Sequence, residues 1–253
     1  MRTLSDLVKM KFHLGIIPDG NRRFDREHPE LAEIGGAYAH GGEAAIRAAA
    51  WFANPQQQTF DMLTIYGFAE ANWSRPASDV ADAMQAAEKF LLEAKRGITE
   101  KAAPAPPTFV RAVGEARAAK AGDDLSRVQI QIVSTNPKRI PMSITELDDS
   151  IHETGIGIVH EVPDAAKTIN VLASYSSKDE MRKACGDPDR LLVKRPIDAV
   201  FRTSGEMRLS DFCLHQCAYA ELFFSDKLWP EIEFGDLDAI ADAISKRNRR
   251  FGK

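Results

Sequence analysis

Six short apolar runs, with helix-like spacing between them, constrain the fold of this chain more than any other feature. The runs are His13–Pro18, Met62–Phe68, Val128–Val133, Thr168–Ala173, Ala199–Phe201 and Glu221–Ser225. They are nearly continuous rather than alternating, which is the pattern of strands covered on both faces. Strands that alternate with helices predict a parallel sheet with crossover helices. The fold class expected is therefore α/β, in one domain covering 1–253, because the strand pattern continues unchanged along the chain and no internal repeat interrupts it.

The helical stretches carry their own signals. Glu43–Phe52 is rich in alanine with apolar residues on most sides, so it should be well buried. Ser78 is expected to cap the next helix, with Asp79 and Asp82 in its first turn and Val80, Met84, Ala87 and Leu91 at helical spacing. Leu237, Ile240, Ala241 and Ile244 mark a last helix, followed by the cations Lys246, Arg247, Arg249 and Arg250. Gly97–Pro107, with three prolines, is the expected mobile connection. Cys213 and Cys217 stand four apart in a stretch read as helical, and are better explained as two small buried residues than as metal ligands.

A formal net charge of −4 over 253 residues excludes a global field that would recruit nucleic acid. An anionic ligand must be held by a local cluster of basic groups. The N-terminal stretch lacks a signal-peptide core, no apolar run reaches the length of a membrane span, and cysteines are few. These features imply a cytoplasmic protein without stable membrane insertion.

Three motifs follow strands, and ligands of parallel α/β sheets bind beyond the carboxyl ends of the strands. After the first strand comes Asp19-Gly20-Asn21-Arg22-Arg23. The glycine allows close backbone approach, turn amides can hold phosphate oxygens, and the carboxylate can hold a hard cation such as Mg²⁺. After the second strand comes Asn72-Trp73-Ser74-Arg75-Pro76, where Asn72 could orient a proton in flight, Arg75 could hold phosphate, and Trp73 could wall an apolar pocket or cap the core. After the fifth strand, Arg202 and Arg208 flank a turn with hydroxyls at Thr203, Ser204 and Ser210, a set suited to a diphosphate because guanidinium forks bind phosphate bidentately. Glu221 opens an otherwise apolar strand and requires a partner.

With these motifs in view, the sequence resembles the cis-prenyltransferase family. The residues that carry the resemblance are Asp19-Gly20-Asn21-x-Arg23, His40, Asn72-Trp73-x-Arg75-Pro76, Arg202-Thr203-x-Gly205-Glu206-x-Arg208, Ser210, Ala218-Tyr219-Ala220-Glu221-Leu222-x-Phe224, Leu228-Trp229-Pro230 and Arg249-Arg250-Phe251-Gly252. The resemblance implies a six-stranded parallel sheet flanked by helices that enclose an apolar tunnel, a homodimer, and Mg²⁺-dependent joining of isoprenoid diphosphates by ionisation, condensation and elimination. It implies that Asp19 binds Mg²⁺ and helps expel diphosphate, and that Gly20, Asn21, Arg22, Arg23 and His40 hold the allylic diphosphate. It gives Asn72 a part in proton loss, and Arg202, Arg208 and Ser210 the homoallylic diphosphate. Glu221 would be a second Mg²⁺ ligand, from the neighbouring subunit in one arrangement. Phe24, Trp73 and Tyr66 are candidates for the apolar wall.

Several positions depart from the family pattern. Arg22 stands for glycine, Phe24 for tryptophan, Gly36 for arginine, Ala71 for glutamate, Ser176-Ser177-Lys178 for glycine-glycine-arginine, and Asp211 for asparagine; residues from about Arg26 to Leu31 are extra, and the segment Ser176–Asp198 is short. The departures lie around the phosphate sites. Besides regular coupling of an allylic donor with isopentenyl diphosphate, they leave open an irregular head-to-middle coupling of two allylic diphosphates, giving a branched or cyclised lavandulyl-type product. A non-catalytic partner subunit is a third reading, opposed by the presence of Asp19, Asn72, Arg202 and Glu221. A generic nucleotide-binding protein is a fourth, opposed by the lack of a glycine-rich fingerprint.

Overall fold

The computed structural model describes residues 11–31, 38–54, 56–99, 128–145, 152–153, 158–159 and 167–247. All six expected strands form, and they pair in one parallel sheet: β1 (Phe12–Ile17), β2 (Phe60–Ala69), β3 (Val128–Val133), β4 (Lys167–Tyr175), β5 (Ala199–Arg202) and β6 (Glu221–Phe224). Their order is β3-β4-β2-β1-β5-β6. A small antiparallel ribbon, His152–Glu153 with Ile158–Val159, stands outside this sheet.

Helices cover both faces. On one side α2 (Ala39–Ala53), α3 (Ala77–Thr99) and a C-terminal helix (Phe234–Ser245) pack against the sheet around Leu14, Ile46, Phe52, Phe60, Leu63 and Ile169, all essentially without solvent exposure. Each such side chain contributes about 1.5–3 kcal/mol of transfer free energy. On the other side Tyr66, Leu172, Tyr175, Val200 and Phe212 form a second core. Cys213 and Cys217 are buried there as expected, but their stretch is a series of turns rather than a helix. Positive φ at Ser210, Asp211 and Cys213 prevents a continuous helix. Ser78 does not cap α3: the helix starts at Ala77, Pro76 precedes it with its carbonyl accepting from Val80 N–H, and Ser78 falls inside the first turn. Gly97 belongs to α3; residues 100–107 of the expected connection and the cations from 248 onward lie outside the described residues.

A chain of polar side chains, buried at His13, Thr64 and Asn170 and partly buried at Gln131, crosses four strands. His13 Nδ1 lies 3.1 Å from the Pro196 carbonyl, which can only accept, so Nδ1 carries the proton and Nε2 accepts from Thr64 Oγ1 at 2.7 Å. Thr64 Oγ1 in turn accepts from Asn170 Nδ2 at 2.9 Å, and Asn170 Oδ1 accepts from Gln131 Nε2. Every donor has one acceptor in this order, so the chain favours a single register of β1, β2, β4 and β3.

Candidate active site

A cleft of about 910 Å³ opens at the carboxyl ends of β1, β2 and β5. Its position follows from the parallel sheet, whose strands all deliver their following loops to this edge. Three of those loops carry the three motifs, and Asp19, Gly20, Asn21, Arg22, Arg23, Asn72, Arg75, Arg202, Arg208 and Ser210 all line it.

Asp19 is the centre of the arrangement. Its backbone is clamped to Thr203 by two bonds, Asp19 N–H to Thr203 Oγ1 at 2.8 Å and Thr203 Oγ1–H to the Asp19 carbonyl at 2.7 Å. Its carboxylate accepts from Gly20 N–H at 2.8 Å and from Arg202 Nη2 at 2.8 Å, and Arg23 Nη2 stands 3.7 Å away. Gly20 has φ +107°, and a Cβ there would meet Leu228 Cδ2 at 2.9 Å and its Cα at 3.1 Å, so only glycine makes this turn into α1 (Asn21–Glu27).

The two arginines of the third motif differ sharply. Arg202 is 3% exposed; its Nη2 is bound by Asp19, and its Nη1 by Ser210 Oγ at 2.7 Å and by the Arg208 carbonyl. Its Nε is buried without a partner. Arg208 has a side chain 60% exposed and pairs with Glu206 across the turn. Glu206 also stands 3.8 Å from Arg23. Arg23 is anchored by Ser204, through the carbonyl at 3.0 Å and Oγ at 2.5 Å. Arg75 donates to Tyr38 Oη at 2.7 Å, and Arg22 forms an exposed ion pair with Asp79 of α3 at 3.3 Å. Thr203 and Ser204 were expected only as hydroxyls of the third motif and Glu206 only as one of its residues, with no role given to it; Tyr38, which also lines the cleft, was not expected, and no motif pointed to it.

Four expected residues are not on the wall of this cleft. His40 is tied up elsewhere: its Nε2 donates to the Leu31 carbonyl at 2.8 Å, and its ring packs on Phe24 at 5.4 Å. Phe24 lies between His28 and His40 rather than facing the apolar wall. Trp73 packs edge-on against Phe68 in the core, under the guanidinium of Arg139. Glu221 pairs in register with Ala199, which is level with Leu14, so it sits at the opposite end of the sheet, five residues or about 16 Å of strand rise before Asp19. One copy of the chain does not bring these two carboxylates together. Tyr66, by contrast, lines the cleft with Ile17, Phe68 and Ala69. The cavity is an open cleft; an enclosed apolar tunnel is not seen among the described residues.

The donor set fits Mg²⁺ in the way Mg²⁺ is commonly held, by one or two carboxylates with substrate phosphates completing the shell. Asp19 offers one cleft-facing carboxylate and Glu206 a second. No group of three potential ligands is present among the described residues, so the protein alone supplies no closed metal cage.

Comparison with known proteins places the chain in a family. The family described as "Putative undecaprenyl diphosphate synthase" matches residues 17–252. The chain belongs to the cis-prenyltransferase family. Among curated members, an isoprenyl transferase of Zymomonas mobilis is 31% identical, over 95% of this chain and 91% of that protein. The ditrans,polycis-undecaprenyl-diphosphate synthase ((2E,6E)-farnesyl-diphosphate specific) of Escherichia coli K12 is 28% identical over 95% of this chain and 89% of its own length. Among solved structures, lavandulyl diphosphate synthase from Lavandula x intermedia, in complex with dimethylallyl diphosphate, shares the fold of this prenyltransferase with a TM-score of 0.68. It is 19% identical, with 95% of this chain and 98% of that one covered. A probable undecaprenyl diphosphate synthase from Campylobacter jejuni matches with a TM-score of 0.62 at 18% identity, over 97% of this chain and the whole of the other.

Proposed function

We propose that this cis-prenyltransferase joins an allylic isoprenoid diphosphate to isopentenyl diphosphate. The observation that carries the reading is the clamping of Asp19 between Arg202 and Arg23 at the sheet edge, with Arg208 and Arg75 on the same cleft. Diphosphate carries several negative charges, and preorganised guanidinium donors stabilise the charge that develops as it departs. The allylic C–O bond breaks, and the electron pair leaves with diphosphate. The double bond of the acceptor then attacks the allylic carbon, and loss of one proton restores a neutral hydrocarbon chain.

Gly20, Asn21, Arg22 and Arg23 would orient the donor diphosphate, while Arg208 and Ser210 would hold that of the acceptor. Arg202 holds Asp19 and Ser210 in place and exchanges bonds with substrate phosphate. Asn72 stands on the cleft where an amide oxygen can receive the departing proton for transfer to diphosphate. Mg²⁺ held by Asp19 and the diphosphate oxygens would supply charge neutralisation on the leaving group. His40 joins the donor site only if its bond to Leu31 is exchanged.

Glu221 enters through a second copy of the chain. The edge strand β6 leaves Leu222 49% exposed, and Tyr219 beside it is 72% exposed, an apolar surface suited to a homodimer interface. The reaction partners, isoprenoid diphosphates, are small and soluble enough for a cytoplasmic enzyme, and none of the described helices is long and apolar enough to cross a membrane.

A second reading, coupling of two allylic diphosphates, is favoured by the likeness of the fold to lavandulyl diphosphate synthase and by Arg22, which stands on the cleft paired with Asp79. The test is product analysis by mass spectrometry, with Mg²⁺ and dimethylallyl, geranyl or farnesyl diphosphate, each with and without isopentenyl diphosphate. Product formed only with isopentenyl diphosphate supports regular elongation. Product from allylic diphosphates alone supports the second reading, and no product under any condition rejects both.

A further inference from the structure

We infer that Glu70 is a positioning residue for Asn72, acting through a brace with Ser174, Asn136 and Arg139 that no substrate touches. This rests on the prenyl-transfer reading of the cleft.

Glu70 opens the one-turn 3-10 helix Glu70–Ser74, and Asn72 projects from that turn onto the cleft wall. The Glu70 carboxylate is absent from that wall. It faces inward, where Oε1 accepts from Arg139 Nη1 at 2.7 Å and from Asn136 Nδ2 at 3.2 Å, and Oε2 accepts from Ser174 Oγ at 2.5 Å. Burial raises the affinity of this carboxyl for its proton, but the bonds from Ser174, Arg139 and Asn136 and the Arg139 charge outweigh it, so Glu70 stays below the usual carboxylate range. The ionised form therefore makes the brace.

The brace also fixes Trp73. The single hydrogen of Ser174 Oγ goes to Glu70, leaving a lone pair that accepts from Trp73 Nε1 at 2.8 Å. Arg139 completes the circuit, with its guanidinium 4.6 Å from the centroid of the Trp73 ring. Glu70, two residues before Asn72, and Trp73, the residue after it, are thus held to the ends of other strands: to Ser174 in β4, and to Asn136 and Arg139 just beyond β3.

Ser174 is built for this task. Phe68 pairs with Ala173 and Ala69 with Tyr175, so Ser174 is the extra residue of a bulge. Its φ of +50° is unfavourable for a residue with a side chain. Three donors hold its carbonyl in that conformation: Ser134 Oγ, Thr135 Oγ1 and Asn136 N–H, each at 3.2 Å. The bulge re-aims the hydroxyl to the point where Glu70 and Trp73 meet. The position that usually carries a glutamate in this family is Ala71 here, and the carboxylate one residue earlier serves the fold of the turn rather than the cleft surface.

The experiment compares Glu70→Gln in the wild-type and Asn72→Ala backgrounds by steady-state kinetics with the substrate pair that gives product in the assay proposed above. Misplacing a reacting group by about 1 Å can cost on the order of a hundredfold. We expect kcat of Glu70→Gln to fall about tenfold or more while KM for both diphosphates stays within about twofold. In the Asn72→Ala background the same change should have almost no further effect, because Glu70 acts through Asn72. Unchanged kcat in the wild-type background, or an equal fall in both, overturns the proposal. Arg139→Gln, at a more exposed site, should reproduce part of the kcat loss and covers the case in which Glu70→Gln fails to fold. If the wild-type protein turns nothing over, the prenyl-transfer reading fails. The brace is then decided by ¹H–¹⁵N spectra, in which Glu70→Gln must shift the indole of Trp73 and the side-chain amide of Asn72 but not the indoles of Trp51 and Trp229. An unmoved Asn72 amide overturns it.

Discussion

Arg202 and Arg208 belong to one motif, yet replacing each by methionine should have opposite consequences. Methionine keeps most of the apolar stem and removes the guanidinium. At Arg202 this removes bonds to Ser210 Oγ, to the Arg208 carbonyl and to Asp19. Bonds from a charged donor are worth about 1.5–3 kcal/mol each. The Asp19 side chain is 33% exposed, so solvent screening reduces its share to about 1 kcal/mol. Allowing water to reach the two orphaned acceptors, the net loss is about 3 kcal/mol. With a urea slope of about 3 kcal/mol/M for a chain of this size, the unfolding midpoint should fall by about 1 M. At Arg208, whose side chain is 60% exposed and among the described residues is bound to Glu206 across the turn, the midpoint should move by less than about 0.2 M. Calorimetric binding of inorganic diphosphate with Mg²⁺ should show the reverse ordering per unit of stability lost: Arg208→Met should weaken binding about tenfold or more with the fold unchanged. A midpoint for Arg202→Met within about 0.3 M of wild type, at constant slope, would refute the argument that its burial makes it structural as well as functional.

Three further outcomes are expected. Asp19→Asn should abolish turnover while circular dichroism and Tm stay near wild type; near-normal turnover would remove Asp19 from its assigned role. Gly41→Ala should gain up to about 1 kcal/mol of helix propensity in α2, yet its Cβ would come 2.3 Å from Asn21 Oδ1, so activity should fall while Tm holds or rises, and unchanged activity would show that the Asn21 side chain is not needed where it stands. His13 is held neutral by burial and by the Arg195 charge, with its pKa lowered to about 3. The folded pKa lies below the unfolded value of about 6.5, so the unfolded chain takes up this proton first: the contribution is complete above pH 6.5 and is lost at about 1.4 kcal/mol per unit as pH falls toward 3. Between pH 7 and pH 5 the wild type should therefore lose about 2 kcal/mol more than His13→Gln in urea titrations, and parallel losses would reject the assignment.

The six strands were legible because near-continuous apolar runs are a local property, and the observed bounds differ from the expected ones by no more than two residues at either end. The cleft was legible for the same reason: in a parallel sheet, a motif that follows a strand must emerge on one edge. Asp19, Asn21, Arg23, Asn72, Arg202 and Arg208 needed nothing further to be brought together. Helix boundaries were less so, since the Pro76 carbonyl rather than the Ser78 hydroxyl begins α3.

Which side chain does what at that edge was decided by contacts between distant parts of the chain. Asp19 and Arg202 are 183 residues apart, and only their packing buries one guanidinium while leaving Arg208 in solvent. Trp73 faces the core and Glu70 faces inward because a bulge in β4 places Ser174 between them. Glu221 reads as a site carboxylate from its residue type, but strand register puts it at the other end of the sheet. Periodicity and chain order fix which loops share an edge, since they depend on neighbours in sequence. Burial, register and hydrogen-bond partners depend on neighbours in space, and those exist only once the sheet has formed.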